Sequence, residues 1–90
     1  MTTEERLEKL EQELARMKRE IVLVDDQGIA RIRLDVTKDG PALVLQDENG
    51  APRAVLGVSE NEPGLAMYDE QGVLRAVLGL TEDGPGLNLL

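Results

Sequence analysis

Residues 47–68 read DENGAPRAVLGVSENEPGLAMY, and residues 69–90 read DEQGVLRAVLGLTEDGPGLNLL. The two stretches are equal in length and carry the same residue types at the same places. A third copy, DDQGIARIRLDVTKDGPALVLQ, precedes them at residues 25–46, so three units of 22 residues follow one another without insertion. Asp25, Asp47 and Asp69 align, as do Gly28, Gly50 and Gly72, then Arg31, Arg53 and Arg75, then Leu34, Leu56 and Leu78. Pro41, Pro63 and Pro85 close the match, each followed two residues later by Leu43, Leu65 or Leu87. The IVLV of residues 21–24 matches the tail of a unit, LVLQ at 43–46, so the array begins with a half unit. A fixed period near twenty residues marks a repeat architecture in which each unit leans on its neighbours.

Each unit holds two short runs in which apolar residues alternate with a period of two, the pattern of a strand with one face turned inward. The first run places Ile32, Leu34 and Val36 on one face, and its later copies place Ala54, Leu56 and Val58, then Ala76, Leu78 and Leu80. The second places Leu43 and Leu45, Leu65 and Met67, or Leu87 and Leu89. Between the runs stand two kinds of turn signal, the tight DDQG, DENG and DEQG and the longer TKDGPA, SENEPG and TEDGPG. Asn49-Gly50 reads as a two-residue hairpin, because both residue types tolerate positive φ. The pattern predicts an antiparallel meander of about seven short strands with one apolar and one polar face. A single-chain β-solenoid with one coil per unit is the alternative.

A different composition precedes the repeats. Residues 3–20 contain neither Gly nor Pro and are rich in Glu, Lys, Arg and Leu, which suit a helix. Leu7, Leu10, Leu14, Met17 and Ile21 are spaced 3, 4, 3 and 4, placing Leu7, Leu14 and Ile21 at a and Leu10 and Met17 at d of a heptad seam. Thr2 or Thr3 caps the start, and Glu4 and Glu5 favour the positive end of the helix dipole. Arg6 and Glu13 at g, with Glu11 and Lys18 at e, allow charge pairing between parallel chains. Fewer than three heptads rarely hold chains together unaided, so the repeats must contribute. The chain therefore divides into a coiled-coil helix at 1–20 and a β-repeat domain at 21–90.

The meander poses a problem that only assembly solves. Its apolar face carries aliphatic residues and no large aromatic, and nothing else in the chain remains to cover it. A sheet must bury such a face against another layer, and the available layer is a second copy of itself. The expected fold class is mostly β with an N-terminal α-helix: a short parallel coiled coil followed by an antiparallel β-repeat array, three chains forming a trimeric β-prism. The predicted oligomer interface comprises Leu7, Leu10, Leu14, Met17 and Ile21, continued by Leu23, Ile32, Leu34, Val36, Leu43 and Leu45. Beyond these it takes in Leu56, Val58, Leu65, Met67, Leu78, Leu80, Leu87 and Leu89.

Units of the form DxxGxxRAxLGxxxDGPGLxLYDxxG, seen here as DENGAPRAVLGV, DEQGVLRAVLGL and TEDGPGLNLL, follow a short charged coiled coil. In this the chain resembles a group of uncharacterised bacterial repeat proteins, many of which carry a membrane-spanning helix between the two parts. This sequence has no such helix, so the resemblance implies a repeat array without membrane anchoring in this form. The general plan is also similar to the trimeric stalks of phage tail fibres. Both comparisons imply a structural protein and supply no catalytic residue.

The remaining composition excludes several function classes. Ten Lys and Arg against eighteen Asp and Glu give a net charge of −8, which repels phosphate backbones and anionic membranes. There is no Cys and no His, so thiolate and imidazole chemistry is absent. Asp25, Asp26, Asp39, Asp47, Asp69 and Asp83 lie in turns where Asx side chains have a backbone role, and they fit no EF-hand loop. The Arg31, Arg53 and Arg75 column is expected to pair with nearby turn carboxylates rather than to grip an anion. GPG and DGP lack the following Lys-Ser of a phosphate loop. The N-terminus lacks the basic start and apolar centre of a signal peptide, which makes the expected location cytoplasmic or virion-associated. The sequence thus reads as a non-enzymatic stalk, spacer or trimerisation module with no cofactor or metal. Its partner is itself, with a binding module for a protein or glycan as the alternative.

Overall fold

The computed structural model describes residues 1–17 and 19–90. Lys18 and the side chains of Arg16 and Met17 lie outside the described residues, and with them the d position read at Met17 and the e position read at Lys18. Helix α1 spans Thr3–Met17. Thr2 is its cap: the hydroxyl accepts the Glu5 N–H at 3.1 Å and donates to Glu5 Oε1 at 3.2 Å. A Thr with Glu three residues on is the sequence form of a capping box. Leu7, Leu10 and Leu14 are 54%, 56% and 59% exposed, so the apolar seam of the helix touches little of its own chain.

The rest of the chain is one sheet. Its strands are β1 (Glu20–Val24), β2 (Ala30–Thr37), β3 (Gly40–Gln46), β4 (Pro52–Ser59), β5 (Glu62–Tyr68), β6 (Leu74–Thr81) and β7 (Gly84–Leu89). They lie in sequence order, and every neighbouring pair is antiparallel. This is the meander that the alternation predicts, and the parallel stacking of solenoid coils does not occur among the described residues. One heptad position changes role. Ile21 lies in β1 opposite Leu34, so the helical seam ends before it.

The two turn classes are exchanged relative to the sequence reading. Thr37 pairs with Gly40, Ser59 with Glu62 and Thr81 with Gly84, which leaves only two residues at each of these hairpin tips. Gly40 and Gly84 supply positive φ, at 125° and 107°; the middle hairpin has no glycine and instead bends Glu60 (φ 52°) and Asn61 (φ 67°) into the left-handed region. The DENG loop is wider. Asp47 N–H donates to the Ala51 carbonyl at 2.9 Å, and Asp47 Oδ1 accepts the N–H of Asn49 at 2.9 Å and of Ala51 at 3.0 Å. In that loop Gly50 has positive φ and Asn49 does not, so Asn49-Gly50 is not a two-residue hairpin. The Asp47 side chain organises the turn by competing for backbone donors, as Asx residues do.

A stability test follows from Glu60. A residue with a Cβ in the left-handed region costs roughly 1–2 kcal/mol, less for Asn and nothing for Gly. Replacing Glu60-Asn61 by Asn-Gly is expected to raise the melting temperature by several degrees, a gain of about 1 kcal/mol per chain. An unchanged or lower melting temperature would show that this hairpin does not take its two tip residues left-handed.

The slab has almost no interior. The strands form a single sheet, and the principal extents of the whole chain, helix included, are 56 × 32 × 14 Å. The radius of gyration is 16.9 Å, where a compact domain of this length has about 12 Å. Accessible surface is 7368 Å², against about 5,200 Å² for a globular monomer of 9.9 kDa. Among the described residues only Ala76 is a buried apolar side chain, at 8% exposure.

Candidate assembly surface

The cross-strand register sorts the predicted interface residues into rows on one face. Ile21, Leu34, Leu43, Leu56, Leu65, Leu78 and Leu87 pair successively across all seven strands and form a continuous column. Beside it run Leu23, Ile32, Leu45, Ala54, Met67, Ala76 and Leu89, paired in the same way. On the other flank Val36 pairs with Pro41, Val58 with Pro63 and Leu80 with Pro85. The strand residues predicted for the interface thus share this face. Leu34, Leu56 and Leu78 are 44–49% exposed, and Leu87 and Leu89 reach 63% and 76%. Ile21, Leu34, Leu43 and Leu56, together with Val36, Pro41, Val58 and Pro63, line most of a shallow open concavity of about 520 Å³.

Three members of the surface were not named from sequence. Pro41, Pro63 and Pro85 sit two residues before Leu43, Leu65 and Leu87, so the period-two rule reaches them. They read as turn punctuation instead, because proline is scarce in central strands. Here each closes a tight hairpin at the rim of the sheet and adds apolar surface to the third row.

The opposite face carries polar residues at its margins and fewer at its centre than the alternation predicts. Its middle row is Val22, Arg33, Val44, Val55, Ala66, Val77 and Asn88, and the row beside it is Glu20, Asp35, Ala42, Gly57, Gly64, Gly79 and Gly86. In the first unit Arg33 meets Glu20 there at 3.0 Å. In the later units these two central rows are mostly small apolar residues, and the polar residues of the face stand at its margins, where the alternation places Arg31, Arg53 and Arg75 at one end of the strands and Thr37, Ser59 and Thr81 at the other. The leucine face differs in carrying larger side chains and no polar one.

The turn carboxylates and the arginine column form one repeated staple. Arg31, Arg53 and Arg75 lie 3.5, 3.6 and 3.3 Å from Asp25, Asp47 and Asp69. Each arginine Nε also donates to a carbonyl at the end of the next strand of its unit: Gln46 at 2.9 Å, Tyr68 at 2.8 Å and Leu90 at 2.8 Å. The ion pairs are solvent-accessible and contribute little individually. The geometry joins each wide turn to the far end of its own unit, which accounts for Asp and Arg at a fixed spacing of six.

These carboxyls titrate below the usual carboxylate range. The leading cause is the backbone N–H of Ile29, Ala51 or Val73, followed by opposing desolvation and then by the N–H of residue 27, 49 or 71 and the arginine. A folded-state value below the unfolded one contributes stability above the ordinary Asp range, and that contribution is lost as pH falls through the depressed value. The protein is therefore expected to melt at a lower temperature near pH 3 than at pH 7. Asp47→Asn, which keeps an acceptor but not the charge, is expected to narrow that difference, and an identical acid response in the variant would rule out Asp47 as a contributor.

No group of three or more His, Cys, Asp or Glu among the described residues is gathered to hold a metal ion. No helix among them is long and apolar enough to cross a membrane. No protein family, curated protein or solved structure matches the chain.

Proposed function

We propose that the chain is a structural homotrimeric module, a stalk or spacer in which three parallel copies bury the leucine face around a common axis. The single observation that carries this reading is the uncovered column from Ile21 to Leu87 in a chain whose only buried apolar side chain, among the described residues, is Ala76. The excess of about 2,200 Å² over a globular monomer is the scale of surface that obligate interfaces remove. A sheet one layer thick with no core does not offset the conformational entropy of ordering it.

Three is the number that fits the side chains. Strands of eight residues are about 26 Å long, so a triangle of three sheets has its centre about 7.5 Å from each wall. Leucine at the middle of each wall fills that depth, whereas the valine and glycine of the opposite face would leave a void. The middle column is leucine from β2 to β7. At one end the heptad seam of α1 clamps the chains in parallel register, a role consistent with the resemblance to trimeric fibre stalks.

An oligomer that folds as it assembles melts at a temperature that depends on concentration. The melting temperature is expected to rise by several degrees across a 100-fold increase in protein concentration. A reversible melt independent of concentration, with full β signal at the lowest dilution, would contradict the proposal.

A further inference from the structure

The two ends of the strands carry complementary side chains. On the leucine face the residues on either side of the middle column form two flanking rows, one near the tight hairpins and one near the wide turns. From β2 to β7 the tight-turn row runs Val36, Pro41, Val58, Pro63, Leu80 and Pro85. The wide-turn row runs Ile32, Leu45, Ala54, Met67, Ala76 and Leu89 over the same strands. From β3 onward the rows are in antiphase: a strand with Val or Leu at its tight end has Ala at its wide end, and a strand with Pro at its tight end has Met or Leu at its wide end. Only β2 departs from the rule, with Val36 and Ile32.

The sheet itself does not require this. Its middle column sets leucine beside leucine on every strand from β2 to β7, so large side chains pack next to one another across neighbouring strands. Along one strand Ala54 and Val58 are about 13 Å apart, with Leu56 between them, and do not meet. Both rows are open: Val58 and Leu80 are 40% and 51% exposed, and Leu45 and Met67 are 43% and 45% exposed. The match in size acquires a use where the tight end of one copy meets the wide end of another.

We infer that the tight-turn row of each copy packs against the wide-turn row of the next at the corners of the prism, strand against like strand, so that Val58 lies on Ala54 of the next copy and Leu80 on Ala76. The inference rests on the three-chain reading and adds the level at which the copies meet. Three-fold symmetry brings the tight end of one sheet to the wide end of the next at every corner. Val58 and Ala54 each lie about 7 Å from Leu56 on a strand of about 26 Å, hence about 6 Å from a corner, and in a corner of about 60° they are then about 6 Å apart. Residues directly opposed in a sheet have nearly that separation. Matched levels set every Leu and Met of these rows opposite Ala or Pro. A slip of one strand, about 4.8 Å along the axis, would set Leu80 against Met67 or Leu89 and Pro63 against Ala54 or Ala76, crowding some levels and leaving voids at others.

The chain has no cysteine, so paired cysteines report the corner directly. A disulfide spans about 4.4–6.8 Å between Cα atoms, which the corner meets and the separation of residues 54 and 58 within one chain does not. The test is Ala54→Cys/Val58→Cys in the full chain, with oxidised glutathione as the oxidant. Salt is held at about 0.15 M, where the acidic turns on both sides of the corner, Asp47-Glu48 and Glu60 to Glu62, are screened beyond about 8 Å. The expected product in denaturing, non-reducing mass spectrometry is a covalent particle of three chains. It is expected to form about 10-fold faster than from the pairs slipped by one strand, Val58→Cys/Met67→Cys and Leu45→Cys/Val58→Cys. Ala76→Cys/Leu80→Cys is expected to repeat the result one unit on, and stands in if the β4 variant does not fold.

Native mass spectrometry of the same samples separates the two ways of failing. A particle of three chains in which a slipped pair links faster, or in which no pair links, overturns the corner and leaves the trimer standing. Covalent pairs of chains from Ala54→Cys alone mean that like ends meet about a two-fold axis, which overturns both.

Discussion

Leu56→Asp is expected to abolish assembly at micromolar concentration and, with it, the cooperative melt. Leu56 occupies the middle of β4, the central strand, and pairs with Leu43 on one side and Leu65 on the other. In the proposed prism its copies from three chains meet in one layer. An unpaired carboxylate buried there costs several kcal/mol, and three in a single layer repel one another as well. That exceeds what a small assembly has to spare. The informative control is the adjacent residue. Val55 lies on the opposite face, in the row with Val44 and Ala66, so Val55→Asp places its charge outside the prism and is expected to assemble. If the two variants behave in reverse, the valine and glycine face is the inner one.

Removal of residues 1–18 is expected to weaken the assembly without destroying it. The deletion takes away α1 and leaves Glu20, which pairs with Asp35 and meets Arg33 at 3.0 Å. Seven leucine-column layers remain to be buried, with two flanking rows, and their apolar area exceeds that of the three described seam residues on α1. What is lost is proximity: the helices no longer raise the local concentration of the sheets. The melt of the truncated chain is therefore expected to depend more steeply on concentration than that of the full chain. A peptide of residues 1–18 is expected to be largely unfolded, because so short a helix does not offset its own nucleation. Circular dichroism and sedimentation check both fragments. A helical oligomer from the peptide with a disordered repeat fragment would make the coiled coil the organiser and the sheet its passenger.

The repeat made the strands legible. Leu34, Leu56 and Leu78 recur at a fixed interval, and once each is flanked at two residues by another aliphatic, a strand and its inward face follow from the period alone. The helix was equally open to reading, with Thr2 before Glu5 as its capping signal. Turn geometry was harder. Asn49-Gly50 carries a strong local preference, but Asp47 two residues earlier offers a side-chain acceptor for two backbone N–H groups, and that competing interaction selects the wider loop. The tips at Lys38-Asp39 and Glu60-Asn61 looked long because Pro and Gly follow them, yet those residues already belong to β3 and β5. The small apolar rows at the centre of the second face were hidden for a related reason. Val55, Gly57, Ala66 and Gly64 alternate with leucine by size, and a polarity pattern does not register that difference.

The measurement that tests the central claim most directly is the mass of the particle in solution, by light scattering on the full chain at neutral pH. Three chains of 9.9 kDa are expected. A folded particle of one chain would contradict the account outright, since it would require a stable sheet with both faces in water, and a particle of four chains would contradict the three-sided prism.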